Sequence, residues 1–150
     1  DYFGYVVAIS GNYAAVGAYQ EDDSSGNSSG KVYVFDVITG TLLQTINNPN
    51  IYGTSANDYF GYHISLSGSY LVVGAYQEDE SGNTNSGKAY IFDITTGNLI
   101  KTLNNPNAYG SSANDYFGFN VGICGRRAIV GAYGESDANG TLSGKAYLFS

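Results

Sequence analysis

The sequence predicts an all-β fold of small antiparallel sheets, one per repeat, on three observations. First, Asp-Tyr-Phe-Gly recurs at Asp1, Asp58 and Asp115, Val-Gly-Ala-Tyr at Val16, Val73 and Val130, and Ser-Gly-Lys before an aromatic strand at Lys31, Lys88 and Lys145, every interval being 57 residues. Second, apolar residues alternate or run in stretches of strand length, bounded by Gly, Ser, Asn and Asp. Third, no segment sustains a helical period. A unit repeated in one register cannot bury both its faces alone, so the copies must stack on one another.

The second copy shows the elements most clearly. From Phe60 to Leu66, Phe60, Tyr62, Ile64 and Leu66 alternate with Gly61, His63 and Ser65, the period of a half-buried strand. A Ser67-Gly68 turn leads into Tyr70 to Tyr76, a continuous apolar run that predicts burial on both faces. The polar loop from Gln77 to Gly87 follows, then a third strand from Lys88 to Phe92, ended by Asp93 and the Thr96-Gly97 turn. The fourth strand runs from Asn98 to Leu103. It stops at Asn104-Asn105-Pro106-Asn107, because proline lacks the ladder donor.

Four short strands joined by tight turns make a twisted sheet, and such sheets stack around an axis as propeller blades. A β-solenoid is the alternative, but its coils are shorter and simpler. The repeats span 1–57, 58–114 and 115–150, the last ending after its third strand. That is fewer than the about four to eight blades that close a propeller, and it leaves a strand edge uncovered. The expectation is a segment of a longer chain, with pairing to other copies or subunits as the alternative; a start at Asp1 rather than Met agrees with excision or processing.

The net charge is −7 with only 13% charged residues, which argues against a phosphate-backbone partner, since nucleic-acid binding needs clustered Lys and Arg. No stretch of about 18 apolar residues is present, so no membrane span is predicted. Cys124 is single, so no disulfide forms within the chain, and its strand position predicts a small buried or half-buried thiol. Polarity carried by Asn, Ser, Thr and Gly points to an extracellular, cell-surface or virion-surface location.

The paired Phe3-Gly4, Phe60-Gly61 and Phe117-Gly118, the downstream Val-Gly-Ala-Tyr, and Gly30 to Phe35 with Gly87 to Phe92 resemble the FG-GAP repeat, with Tyr where that motif has Pro. The resemblance covers essentially the whole chain. It implies a propeller of the integrin α-subunit type and a secreted, surface-attached or virion-associated recognition module. Calcium loops between the first two strands of integrin-type blades are not carried over. Here those connections are only Ser10-Gly11-Asn12, Ser67-Gly68-Ser69 and Cys124-Gly125-Arg126. The short turns look more like bacterial and phage surface versions of the repeat.

Two sets of residues are candidates for a site. Tyr19, Tyr76 and Tyr133 end the second strands, and Tyr52 and Tyr109 lie in the linkers; tyrosine offers apolar area with a polar tip, suited to sugars and protein surfaces. The acids Glu21, Asp22, Asp23, Glu78, Asp79, Glu80, Glu135 and Asp137 cluster in the loops after those strands. Such clusters suit calcium, which takes several oxygen ligands, although the spacing matches no established calcium loop and a solvated acidic rim is the simpler reading. No cofactor is otherwise implied. His63 lacks a paired acid or nucleophile, and no catalytic triad or phosphate loop can be assembled. The expected function is therefore a non-enzymatic module for binding or structural display, engaging protein or glycan. A glycan-active enzyme using loop carboxylates and an architectural spacer are the alternatives.

Overall fold

The computed structural model describes residues 1–150 apart from 25, 51–53, 108 and 139. Among the described residues every regular element is a strand, in three antiparallel meanders. The first sheet is β1 (Val6–Ser10), β2 (Tyr13–Ala18), β3 (Lys31–Asp36) and β4 (Leu42–Asn47); the second is β5 (Ile64–Ser67), β6 (Tyr70–Ala75), β7 (Lys88–Asp93) and β8 (Asn98–Asn104). The third holds β9 (Phe117–Cys124), β10 (Arg127–Ala132) and β11 (Lys145–Phe149). Pairings repeat with the sequence period: Val16 faces Tyr33, Val73 faces Tyr90 and Val130 faces Tyr147. These are the blades that the repeat predicts.

One boundary moves. The first strand of the second repeat begins at Ile64 rather than Phe60. Tyr59 (φ 56°) and Gly61 (φ 85°) are left-handed, and the Tyr62 N–H closes a turn on the Tyr59 carbonyl at 3.0–3.1 Å, the same turn that Tyr5 and Phe119 close in their repeats. Extended pairing starts only after that turn, except in the third sheet, where it reaches Phe117 through an irregularity at Gly131/Ala132.

The cores lie between sheets, not within them. One joins Val32, Val34 and Ile46 of the first blade to Phe60, Ile64, Leu71, Val73 and Phe92 of the second. The other joins Val72, Ala89, Ile91 and Leu103 of the second to Phe117, Val121, Ala128 and Val130 of the third. In β6, Leu71 and Val73 therefore face one neighbour and Val72 the other, so burial is continuous from Leu71 to Ala75. β10 alternates instead, because it is covered on one face only. Close approach needs glycine where the blades meet: a Cβ on Gly17 would collide with the Gly61 carbonyl, and one on Gly74 with the Gly118 carbonyl.

Candidate functional site

The motif tyrosines converge on one rim of the stacked blades. Tyr5 and Tyr19 pack tilted or edge-on against Tyr62, Tyr62 against Tyr76 and Phe119, and Phe119 against Tyr133, at centroid separations of 4.6–5.3 Å. Tyr59 and Tyr116 extend the row, the latter lying flat against Tyr133 at 5.1 Å. The cause is local. The left-handed turn in each Asp-Tyr-Phe-Gly sends Phe60 and Phe117 inward between blades and leaves the flanking tyrosines beside the end of the second strand. Tyr19 and Tyr76 are half-buried and Tyr133 exposed, so the three strand-end candidates do share one continuous surface. Burial, then the neighbouring phenols, push all three hydroxyls above their usual titration range. Tyr109 is exposed and lies under the Lys145 ammonium, 4.3 Å from its ring centre, away from that row. Tyr52 lies outside the described residues.

Beneath the rim each blade repeats a second arrangement, which the sequence reading missed. The carboxylates of Glu21, Glu78 and Glu135 accept bonds from the hydroxyls of Tyr33, Tyr90 and Tyr147 at 2.6–2.8 Å. Lys31 and Lys145 each pair with the same glutamate at 2.8 Å, whereas buried Lys88 stands 3.7 Å from Glu78 and 3.5 Å from Glu80. Glu78 and Glu135 are fully buried and Glu21 is mostly covered. The acidic loops are thus not a solvated rim at these positions. The signal was present: Glu, Lys and Tyr recur together at a fixed offset in all three copies, as a structural ion pair with a phenol donor would require.

The remaining loop acids hold their own loops. Asp22 accepts the Ser28 N–H, Asp79 the Asn85 N–H and Asp137 the Gly140 N–H. Asp23 accepts the Gly26 N–H and the hydroxyls of Ser29 and Ser55, tying the loop to the linker that leads into the second repeat. Among the described residues no three of these carboxylates converge as a ligand group. A further pair of acids is set by the linkers: the Asn48 and Asn50 amides donate to Asp58 at 2.8 and 2.6 Å, and those of Asn105 and Asn107 to Asp115 at 2.7 Å. The Asn-Asn-Pro-Asn linker therefore clamps the opening residue of the following blade.

Burial holds the Glu78 carboxyl up at about 8 against the Tyr90 bond, and that of Asp58 up at about 6 against the two Asn bonds. In Glu21 burial acts the same way, but the Lys31 and Tyr33 bonds outweigh it and the net shift is downward. A carboxyl whose folded value is raised favours folding while it keeps its proton, and loses that contribution as the proton leaves. Stability should accordingly fall as the pH rises from 4.5 to about 8, the window set by Glu78. The urea midpoint against pH measures this, and Glu78→Gln, which has no proton to release, should flatten the curve.

His63 is half-buried and its Nδ1 accepts the Val121 N–H at 3.3 Å, which makes it a link between blades; burial keeps its pKa below the ordinary 6.5. Cys124 is exposed, not buried or half-buried as its strand position suggested. It ends β9 on the outer face of the third blade, where no further sheet covers it. Among the described residues no helix is long and apolar enough to cross a membrane.

Sequential meanders sharing interblade cores, with the same glutamate cluster under each, define the chain as a run of β-propeller blades. The FG-GAP repeat model matches residues 1–35, 53–92 and 107–149, and the chain belongs to that family. No curated protein matches the sequence.

Proposed function

We propose that the chain is a non-enzymatic module of an extracellular or virion surface, and that it engages protein or glycan through its tyrosine rim. The observation that carries this reading is the unbroken aromatic row from Tyr5 through Tyr62 and Tyr76 to Phe119 and Tyr133. Interdigitated rings form a rigid platform, so little side-chain entropy is lost when a sugar face or an apolar protein patch settles on it. The hydroxyl tips supply the polar contacts. Membership of the FG-GAP family, whose repeats are typical of extracellular proteins, supports the location. Glu78, the acid that an enzymatic reading would use, is enclosed and bonded to Tyr90, which favours binding over turnover.

A glycan array and a panel of surface proteins, each combined with a hydrolysis assay, test the proposal. Retention without product is the expected result, and Tyr133→Ala, at an exposed ring, should weaken retention about tenfold. Release of product that Glu78→Gln abolishes would replace this reading with the enzymatic one. A defined protein interface with no ligand on the rim would replace it with the architectural one.

A further inference from the structure

The second repeat holds a polar cavity of about 370 Å³ beside the tyrosine rim. One wall is the linker from Thr54 to Asp58, and the other is the loop after β6, through Gln77, Asp79, Thr84 and Asn85. The first and third blades flank these walls. Asn27 accepts the Asn57 N–H on one side, and Thr84 accepts the Asn114 N–H on the other. The cavity therefore has a blade on either side of it.

Its walls are held by bonds of their own. The Gln77 N–H reaches the Asp58 carbonyl at 3.4 Å and joins the two walls, and the Asp79 carboxylate accepts the Asn85 N–H at 2.8 Å and fixes the loop. Asn57 (φ 64°) and Asn85 (φ 51°) are left-handed, a conformation that asparagine adopts more readily than most residues. The Asp58 carboxylate is buried and already bonded to the Asn48 and Asn50 amides. Asn57, Asp79 and Thr84 are exposed, and Gln77 and Asn85 are half-buried, so these five are open to a ligand. A cavity pre-formed in this way spends little of its binding energy on ordering side chains.

The lining selects the ligand. Among the described residues that form it, only Ala56 is apolar and none is basic. An anion would meet two carboxylates without a counter-charge, and an apolar group would leave the amides and hydroxyls unpaired. A hard cation needs several oxygen ligands, and among the described residues no three acidic, His or Cys groups converge here. Amides, a carboxylate and a threonine hydroxyl together match a neutral group that donates and accepts at several points, as sugar hydroxyls do. A volume of about 370 Å³ lies at the small end of ligand sites, about 300–1,000 Å³, which suits one saccharide unit.

The third repeat lacks these groups. Its equivalents of Gln77, Asp79 and Asn85 are Gly134, Ser136 and Leu142. A Cβ at Gly134 would collide with the Asn114 carbonyl, so the linker there stands where the Gln77 side chain stands in the second repeat. We propose that the cavity between linker and loop of the second repeat binds one neutral saccharide unit of a glycan, through Asn57, Gln77, Asp79, Thr84 and Asn85. This takes the glycan branch of the rim reading and rests on it. Asp58 and Gln77 directly adjoin Tyr59 and Tyr76 in the chain, whose rings pack at 5.8 Å in the rim.

Titration of the isotope-labelled 150-residue chain with the methyl glycosides of glucose, galactose, mannose and N-acetylglucosamine, followed by NMR, tests this. At least one sugar should shift the backbone amides of Asn57, Gln77, Asp79, Thr84 and Asn85, while those of Asn114, Gly134, Ser136 and Leu142 stay still. Gln77→Ala and Thr84→Val remove a polar tip and leave the backbone bonds in place, so each should weaken that binding about tenfold. Binding indifferent to both variants would overturn the proposal, as would silence of the cavity amides towards every sugar. Shifts confined to the rim tyrosines would overturn the cavity and leave the rim reading standing, since that reading is judged separately by the loss of retention in Tyr133→Ala.

Discussion

Glu78→Ala should destabilise the chain by about 1–3 kcal/mol, the cost of leaving a buried hydroxyl without its acceptor. The substitution removes the acceptor of the Tyr90 hydroxyl, which donates at 2.6 Å, and one of the two carboxylates beside the Lys88 ammonium. Neither group can turn to water, because Lys88 is 1% exposed and Tyr90 2%. A buried donor left without its acceptor forfeits its full desolvation cost. Glu78→Gln keeps an oxygen for the phenol and the shape of the side chain, so at neutral pH it should cost far less. Glu21→Ala should cost less too, since the Glu21 and Lys31 side chains are each 20% exposed and water can replace the lost partner. Urea unfolding of the three variants measures the order. Equal losses at Glu21 and Glu78 would show that enclosure by both neighbouring blades is not what makes the central cluster costly to break.

That cluster also marks where sequence reading stopped. The strands, the register and the stacking were legible because a 57-residue period and β patterning are local properties of the chain. The turn at Tyr59 was not, since alternation from Phe60 to Leu66 looks extended whether or not Tyr59 and Gly61 are left-handed. The loop acids misled for a different reason. A carboxylate in a polar loop reads as solvated, and nothing in the loop itself reveals that Glu78 turns back under its blade toward Lys88 and Tyr90 on β7. Only the common offset of the three residue types carried that information. Cys124 failed for want of a neighbour: at an equivalent position, Ser67 is half-buried against the third blade, while the third blade's own outer face is bare. Burial here belongs to the number of neighbouring sheets as much as to the residue.

The same dependence predicts that one motif residue will have very different value in successive copies. Phe60→Ala should cost about 3–5 kcal/mol, as for an enclosed aromatic, while Phe3→Ala should cost no more than about 1 kcal/mol. Both rings touch the same two partners of their own blade: Phe60 lies 5.9 Å from Tyr90 and from Phe92, and Phe3 lies 5.4 and 6.5 Å from Tyr33 and Phe35. The rings differ in what lies beyond, since Phe60 sits under Gly30 and Val32 of the first blade and is fully buried, while Phe3 is 58% exposed. Subtracting the two losses therefore isolates the interblade contribution of a single ring. Phe117, with Tyr147 and Phe149 each at 6.0 Å and the second blade above it, should group with Phe60. Should Phe3→Ala prove as damaging as Phe60→Ala, the stability of each blade would have to come from its own sheet, and the stacking of neighbours would lose its place as the source of the fold.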